Sequence, residues 1–287
     1  MTLKDAQGDL VRVERRPQRI VSLAPSVTEM LFAIGVGDRV VAAADPADYP
    51  LAASKLARVG GWFTPSAERT LGAQPDLVIA SRGNPPEFIA LLRKSGCTVF
   101  TIDPKTLEDT FTAILDIGKI TGAGPAAADL VARLRARLAV VAERLGEVHE
   151  AKRPTAYVIV SVSPLWTAGS ETFQDDAIRA AGAHNIAAKL KGFRPFSPES
   201  LLAADPDFVL LPVTPGDADH MKRDATSDSV LKRLSAVRRG RVVLLEANLI
   251  MRPGPRIVDA IEAMARAFYP GRFSSPPRSS SAATSRR

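Results

Sequence analysis

The 287-residue chain has one cysteine, so no internal disulfide framework staples it. Cys97 lies in "SGCTVFTID", the entry to an expected buried strand, and is read as a core thiol. No apolar run approaches the roughly 20 residues that cross a bilayer as a helix. The three histidines, His149, His184 and His220, have no H-x-x-x-H or C-x-x-C partner, which argues against a preformed transition-metal cage. A G-x-S-x-G elbow, a P-loop and a G-x-G-x-x-G loop are missing, and "GVGD" at 35–38 is a turn rather than a phosphate cradle. The formal charge is +7, yet no run of five or more like charges and no aromatic–basic recognition motif accompanies it. Solvated surface explains that excess, and no nucleic acid is expected. The start, "MTLKDAQGDLVRVERRPQRI", lacks the basic and apolar stretches of a secretory signal, a property shared by a mature form, a misplaced start and a cytoplasmic protein.

What is present alternates. "RIVSLA", "RVVAAA", "PDLVIA" and "TVFTID" read as strands, separated by the helices "PSVTEMLFAIG", "SAERTLGAQ" and "PPEFIALLRKSG". Ser26 and Glu29 have capping-box spacing, and Gly35 is a natural stop. From Thr106 to Val148 strand signals cease. There, "TLEDTFTAILDIGKITG" is one helix, and "PAAADLVARLRARLAVVAERLGEV" is a second of roughly 30 Å at 1.5 Å per residue. Alternation then resumes to about Phe268. The pattern predicts an α/β fold: a lobe over 17–122, a rigid connecting helix over 123–148, and a second lobe over 153–268. Each lobe has a mainly parallel sheet flanked by helices, with a ligand cleft between the two. The Ser/Pro/Arg segment 270–287 is expected to be a disordered basic tail.

The chain also repeats itself. At an offset of 131, "GWFTPSAERTLGAQPDLV" faces "GFRPFSPESLLAADPDFV", pairing Gly61 with Gly192, Ser66 with Ser197, Glu68 with Glu199 and Asp76 with Asp207. Trp62 faces Phe193, aromatic for aromatic. Two lobes of related build follow, and open α/β sheets bind ligands outside the carboxyl ends of their strands. A cleft lined by Tyr49, Trp62, Trp166 and Phe193, all expected in loops, would suit a large, flat, partly apolar ligand. Asp45 and Asp48 are read as Asx-turn residues rather than a catalytic pair. Ser26 is read as a cap rather than a nucleophile, so the chain is expected to bind and not to catalyse. With Ser66 and Ser197 as N-caps, Glu68 and Glu199 sit in first helical turns, where the helix dipole favours them. That effect alone justifies an acid; a matched pair of exposed carboxylates could equally grip two basic sites on a symmetric partner.

"RIVSLAPSVTEMLFAIGVGDRVV", "DYP", "WTAGSETFQDDAIRAAGAHNIA", "SPESLLAADPDFVLL" and "RPGPRI" together resemble the periplasmic vitamin B12-binding proteins. More broadly they resemble the long-helix substrate-binding proteins of ABC importers of cobalamin, haem and iron–siderophores. The resemblance covers residues 17–268. It implies capture of cobalamin or a related corrinoid as transported ligand, with no cofactor, by a monomer in the periplasm or cell envelope. It assigns corrin contact to Tyr49, Trp62, Trp166 and Phe193, with further contacts from Ser81, Arg82, Gly83, Asn248 and Leu249. Glu68 and Glu199 then match the glutamates that dock on the permease dimer. The alternatives are haem, with Tyr49 as axial ligand, or a ferric siderophore on Arg82, Arg194 and Arg252. An intracellular α/β enzyme is the distant alternative.

Overall fold

A computed structural model describes residues 1–146, 148–214 and 216–273. The N-terminal stretch folds onto the first lobe. Strands β1 (Thr2–Lys4) and β2 (Leu10–Arg12) form an antiparallel hairpin. The buried Asp5 carboxylate pins it by accepting from Thr101 Oγ1 at 2.7 Å and Arg93 Nη2 at 2.7 Å.

Five strands then build a parallel sheet: β3 (Ile20–Ser22), β4 (Val40–Ala43), β5 (Ala57–Arg58), β6 (Leu77–Ser81) and β7 (Val99–Ile102), in the order β5-β4-β3-β6-β7. Its helices are α1 (Pro25–Ala33), α2 (Ala67–Gly72) and α3 (Pro86–Lys94). The capping box expected at Ser26 and Glu29 does not form. Pro25, with φ preset for the first helical position, starts α1 behind Ala24, and no side chain caps it. The box is found instead at α4 (Leu107–Ile120), where Thr106 and Asp109 exchange bonds. Helix α5 (Gly124–Leu145) follows, 22 residues without a break, until Gly146 turns the chain at φ +52.

Beyond it, β8 (Thr155–Val158), β10 (His184–Asn185), β12 (Phe208–Val213) and β13 (Val242–Glu246) form a second parallel sheet, ordered β10-β8-β12-β13. The helices here are α6 (Phe173–Ala180), α7 (Pro198–Ala204), α8 (Ala218–Ser227), α9 (Ser235–Arg238), α10 (Ala247–Ile250) and α11 (Ile257–Phe268). Strands β9 (Trp166–Ala168) and β11 (Phe193–Pro195) make a separate antiparallel ribbon in a region read as loops. Pro270–Phe273 is a helical turn, α12, not a disordered segment, and Arg144 lies 5.4 Å from the Phe273 ring centre. Residues 274–287 of the expected tail lie outside the described residues.

The repeat is visible in the sheets. Counted by chain order, β4-β3-β6-β7 and β10-β8-β12-β13 share one spatial order, second, first, third, fourth. The matched aspartates do the same job in each. Asp76 accepts from the backbone N–H of Gln18 (2.6 Å) and Arg19 (2.9 Å), just ahead of β3. Asp207 accepts from Thr155 N (2.9 Å) at the start of β8. Each carboxylate thus clasps its third strand to its first.

Strand alternation sends Ile20, Leu77 and Ile79 to one face and Val21, Val78 and Ala80 to the other. The first face belongs to a core that does not stop at the lobe. It runs through Ile114 and Ile117 of α4, Val131 and Leu134 of α5, Ile178 of α6 and Met264 of α11 to Val158 and Leu210 of the second sheet. Polar ties reinforce this seam. Leu107 N donates to Asp176 at 2.9 Å, and Arg137 of α5 reaches Asp259 (2.6 Å) and Glu262 (2.9 Å) of α11.

Candidate ligand-binding cleft

Parallel strands deliver their following loops to one edge, and here the two edges meet. Asp48 and Tyr49, from the segment after β4, share a cavity of about 390 Å3 with Thr214 after β12, Glu246 ending β13, and Ala247, Asn248 and Arg256. Tyr49 is 46% exposed, and its ring lies over the Arg256 guanidinium at 3.7 Å. A cation stacked this closely fixes the ring's plane as well as attracting it.

Arg256 is itself fixed. Its Nη2 donates to Glu29 Oε1 at 2.8 Å and its Nε to Glu29 Oε2 at 2.9 Å, a fork-on-carboxylate pair across 227 residues. Arg252 Nη1 donates to Glu29 (3.1 Å) and Asp48 (2.6 Å), and Asn248 Nδ2 donates to Asp48 (2.9 Å). Asp48 is therefore a cross-lobe acceptor, not the local turn former expected of it. Burial alone would raise its carboxyl pKa, but the Arg252 guanidinium and Asn248 amide outweigh that and hold it below the ordinary range. Glu29 is 3% exposed, so an unpaired charge there would be costly, and its two arginines make its burial tolerable.

Behind the aromatic loops is a scaffold of short polar bonds. Asp45 Oδ1 accepts from Gly60 N at 3.1 Å, tying the Tyr49 loop to the Trp62 loop. Arg58 Nη1 donates to the carbonyls of Ala44 (3.0 Å) and Ala47 (2.9 Å). Asn84, almost fully buried, donates to Leu23 O (3.0 Å) and Trp62 O (2.8 Å) while accepting from Ser81 N (2.9 Å). Ser81 is thus buried and engaged locally.

Trp62 is half-buried and stacks on the exposed Phe63 at 4.7 Å between ring centres. Gly83, at φ +101, passes beneath both; a Cβ there would stand 3.0 Å from Trp62 Cε2 and 3.1 Å from Phe63 Cε1. On the other lobe Trp166 opposes Pro195 and Ala168 opposes Phe193, so Trp166 and Phe193 project from one face of the ribbon. The register, not a loop, orients these two rings. Among the described residues none of the rings of Tyr49, Trp62, Trp166 and Phe193 stacks on another. Leu249 is half-buried against the shared core. Arg82 is exposed with a loose 3.9 Å pairing to Asp103, and among the described residues Arg194 donates only to Phe193 O at 3.3 Å.

The structure thus gathers Tyr49 with Asn248, Trp62 with Gly83, and Trp166 with Phe193. Glu29, Asn84 and Arg256 were missed as functional candidates. Glu29 and Arg256 find each other only through the fold, while Asn84, next to two prolines in "SRGNPP", carried a turn signal that could have been pursued.

Glu68 and Glu199 occupy the same place, second in α2 and α7, behind the caps Ser66 and Ser197. Both are exposed, and neither makes an ion pair or side-chain hydrogen bond among the described residues. Cys97 is half-buried beside the first lobe's second core, and burial pushes its thiol pKa up, as suits a packing role. Among the described residues no group of three or more His, Cys, Asp and Glu could hold a metal ion.

Known proteins resemble this chain in sequence and in fold. A cobalamin-binding protein of Halobacterium salinarum is 33% identical over 279 residues, 94% of this chain and 74% of its own length. The uncharacterised ABC transporter substrate-binding lipoprotein YvrC of Bacillus subtilis is 29% identical over 278 residues, 95% of this chain and 87% of its own. The crystal structure of a periplasmic heme-binding protein from Pseudomonas aeruginosa matches with a TM-score of 0.82 at 28% identity, covering 92% of this chain and 95% of that one. The periplasmic binding protein family model matches residues 20–249, and with two parallel sheets turning their carboxyl edges on one cleft, this chain belongs to that family.

Proposed function

We propose that this chain is the substrate-binding protein of an ABC importer, taking up cobalamin or a related corrinoid between its lobes on the outer side of the membrane. It acts as a monomer and releases the ligand to a permease dimer reached through Glu68 and Glu199. The work is capture, not catalysis. The observation that carries the choice of ligand is the charge of the cleft floor. Three carboxylates, Glu29, Asp48 and Glu246, meet two guanidiniums, Arg252 and Arg256, at 2.6 to 3.4 Å. Neither guanidinium of that floor is spare, and the less engaged Arg82 and Arg194 stand outside it, so a ferric siderophore or the propionates of haem would meet a floor of net negative charge. A corrin rimmed with amides carries no such penalty and can exchange hydrogen bonds with Asn248 and the loop backbone. The exposed face of Tyr49 and the half-buried Trp62, Trp166 and Phe193 supply apolar area for the flat ring. The cobalamin-binding relative supports the same ligand.

The test is a ligand panel. Cyanocobalamin, haem and an anionic ferric siderophore are each titrated against the purified protein. Binding is followed by visible absorption and by quenching of Trp62 and Trp166, the chain's two tryptophans. Saturable quenching by cyanocobalamin at lower concentration than by either anionic ligand is expected. Tight haem binding with a tyrosinate absorption band, and none with cyanocobalamin, would move the assignment to haem.

A further inference from the structure

A second cavity lies away from the cleft, at the amino-terminal edge of the second sheet. It measures about 770 Å3, roughly twice the cleft cavity, and falls in the range of sites that hold small organic ligands. The starts of β8, β12 and β13 and the end of α11 wall it. The relatives' cargo would occupy the opposite, carboxyl edge of the same strands.

Its chemistry is the reverse of the cleft's. Lys152, Arg153 and Arg241 line it with a single acid, Asp207. That acid is already used, accepting from Thr155 N at 2.9 Å and Thr155 Oγ1 at 3.0 Å. Among the described residues no carboxylate pairs with any of the three cations. Arg153 Nε is buried and has no acceptor among the described residues. A guanidinium nitrogen taken from water without an acceptor leaves that group's charge uncompensated, and an anion against the same guanidinium would offset part of the cost. Beside these cations stands an aromatic wall. Phe208 and Phe268 lie 4.8 Å apart, and the Arg241 guanidinium sits 5.6 Å from the Phe208 ring centre. Tyr269 adds a third ring, its hydroxyl engaged with Gly182 O at 2.7 Å.

We infer that this cavity is a second ligand site, for a small amphipathic anion: one phosphate, sulfate or carboxylate group joined to an aromatic body. The anionic group sits between Arg153 and Arg241, and the ring lies on Phe208 and Phe268. Lys152 adds long-range attraction. The site is independent of the cleft, because no residue that lines it reaches the Tyr49 cavity.

The probe is 1-naphthyl phosphate, titrated by its own fluorescence into the intact protein, with inorganic phosphate and 1-naphthol as single-feature controls. One saturable site is expected, weaker for each control, weakening with added salt and undisturbed by saturating cyanocobalamin. Arg241→Ala, at an exposed side chain, should weaken the probe about tenfold, the loss of one charge-assisted contact, with an unchanged circular dichroism spectrum. Arg153→Ala should weaken it at least as much, with an unchanged circular dichroism spectrum confirming the fold. No saturation in the millimolar range, unchanged affinity in Arg241→Ala, or displacement by cyanocobalamin overturns the site. Recruitment to phosphatidylglycerol vesicles without binding of the soluble probe also overturns it, assigning the cations to a membrane surface instead.

Discussion

At the scale of single residues, the cleft depends on positions that support its rings from behind. Asn84 spends its amide on three backbone groups and so holds the Trp62 loop against the end of β3. Gly83 does the same by having no side chain. At φ +101 it occupies backbone that L-residues avoid, and the stacked Trp62 and Phe63 rings fill the space a Cβ would need. Gly83→Ala should therefore cost about 1–3 kcal/mol and displace Trp62. Thermal melting would show the first effect and a shift in tryptophan emission the second; a variant with unchanged emission would mean that the ring does not rest on this glycine.

Elements explain why some of this was legible in the sequence and some was not. Both parallel sheets could be read, because buried strands of Val, Ile and Ala alternate with helices that carry their own start and stop signals. Ser66 and Ser197 cap α2 and α7 as their spacing required. The β9–β11 ribbon could not be read: its strands are three residues long, and prolines at 164 and 195 mimic turns. Glu29 misled for a different reason. Its spacing from Ser26 satisfied a local rule, while its actual partners lie 223 and 227 residues away. Long-range ion pairs leave no local periodicity. The tie from Asp48 to α10 and its following turn has a pH signature. Its folded pKa is depressed, so the tie stabilises the protein above the ordinary carboxylate range and is lost as pH falls through the lowered value. Melting curves from pH 7 to 3 should show Asp48→Asn less stable than the parent at neutral pH, with the gap closing in acid. A gap independent of pH would rule out the charge as its source.

For the whole molecule, the question is how a loaded receptor is read by its importer. Glu68 and Glu199 stand at equivalent positions on the two lobes, exposed and without ion-pair partners among the described residues. Exposed ion pairs are individually weak, about 0–1 kcal/mol, so in the proposed docking their contribution would be to encounter and register. Charge reversal at both, Glu68→Lys with Glu199→Lys, should abolish uptake in a reconstituted importer while leaving cyanocobalamin titration unchanged. Equal loss of affinity would place the glutamates in the ligand site instead.

The uninterrupted apolar seam through α4, α5, α6 and α11 makes the back of the protein behave like the spine of a hardbound book. Covers so bound are expected to part only slightly at the fore-edge, so that filling the gap would change the spacing of the jaws little.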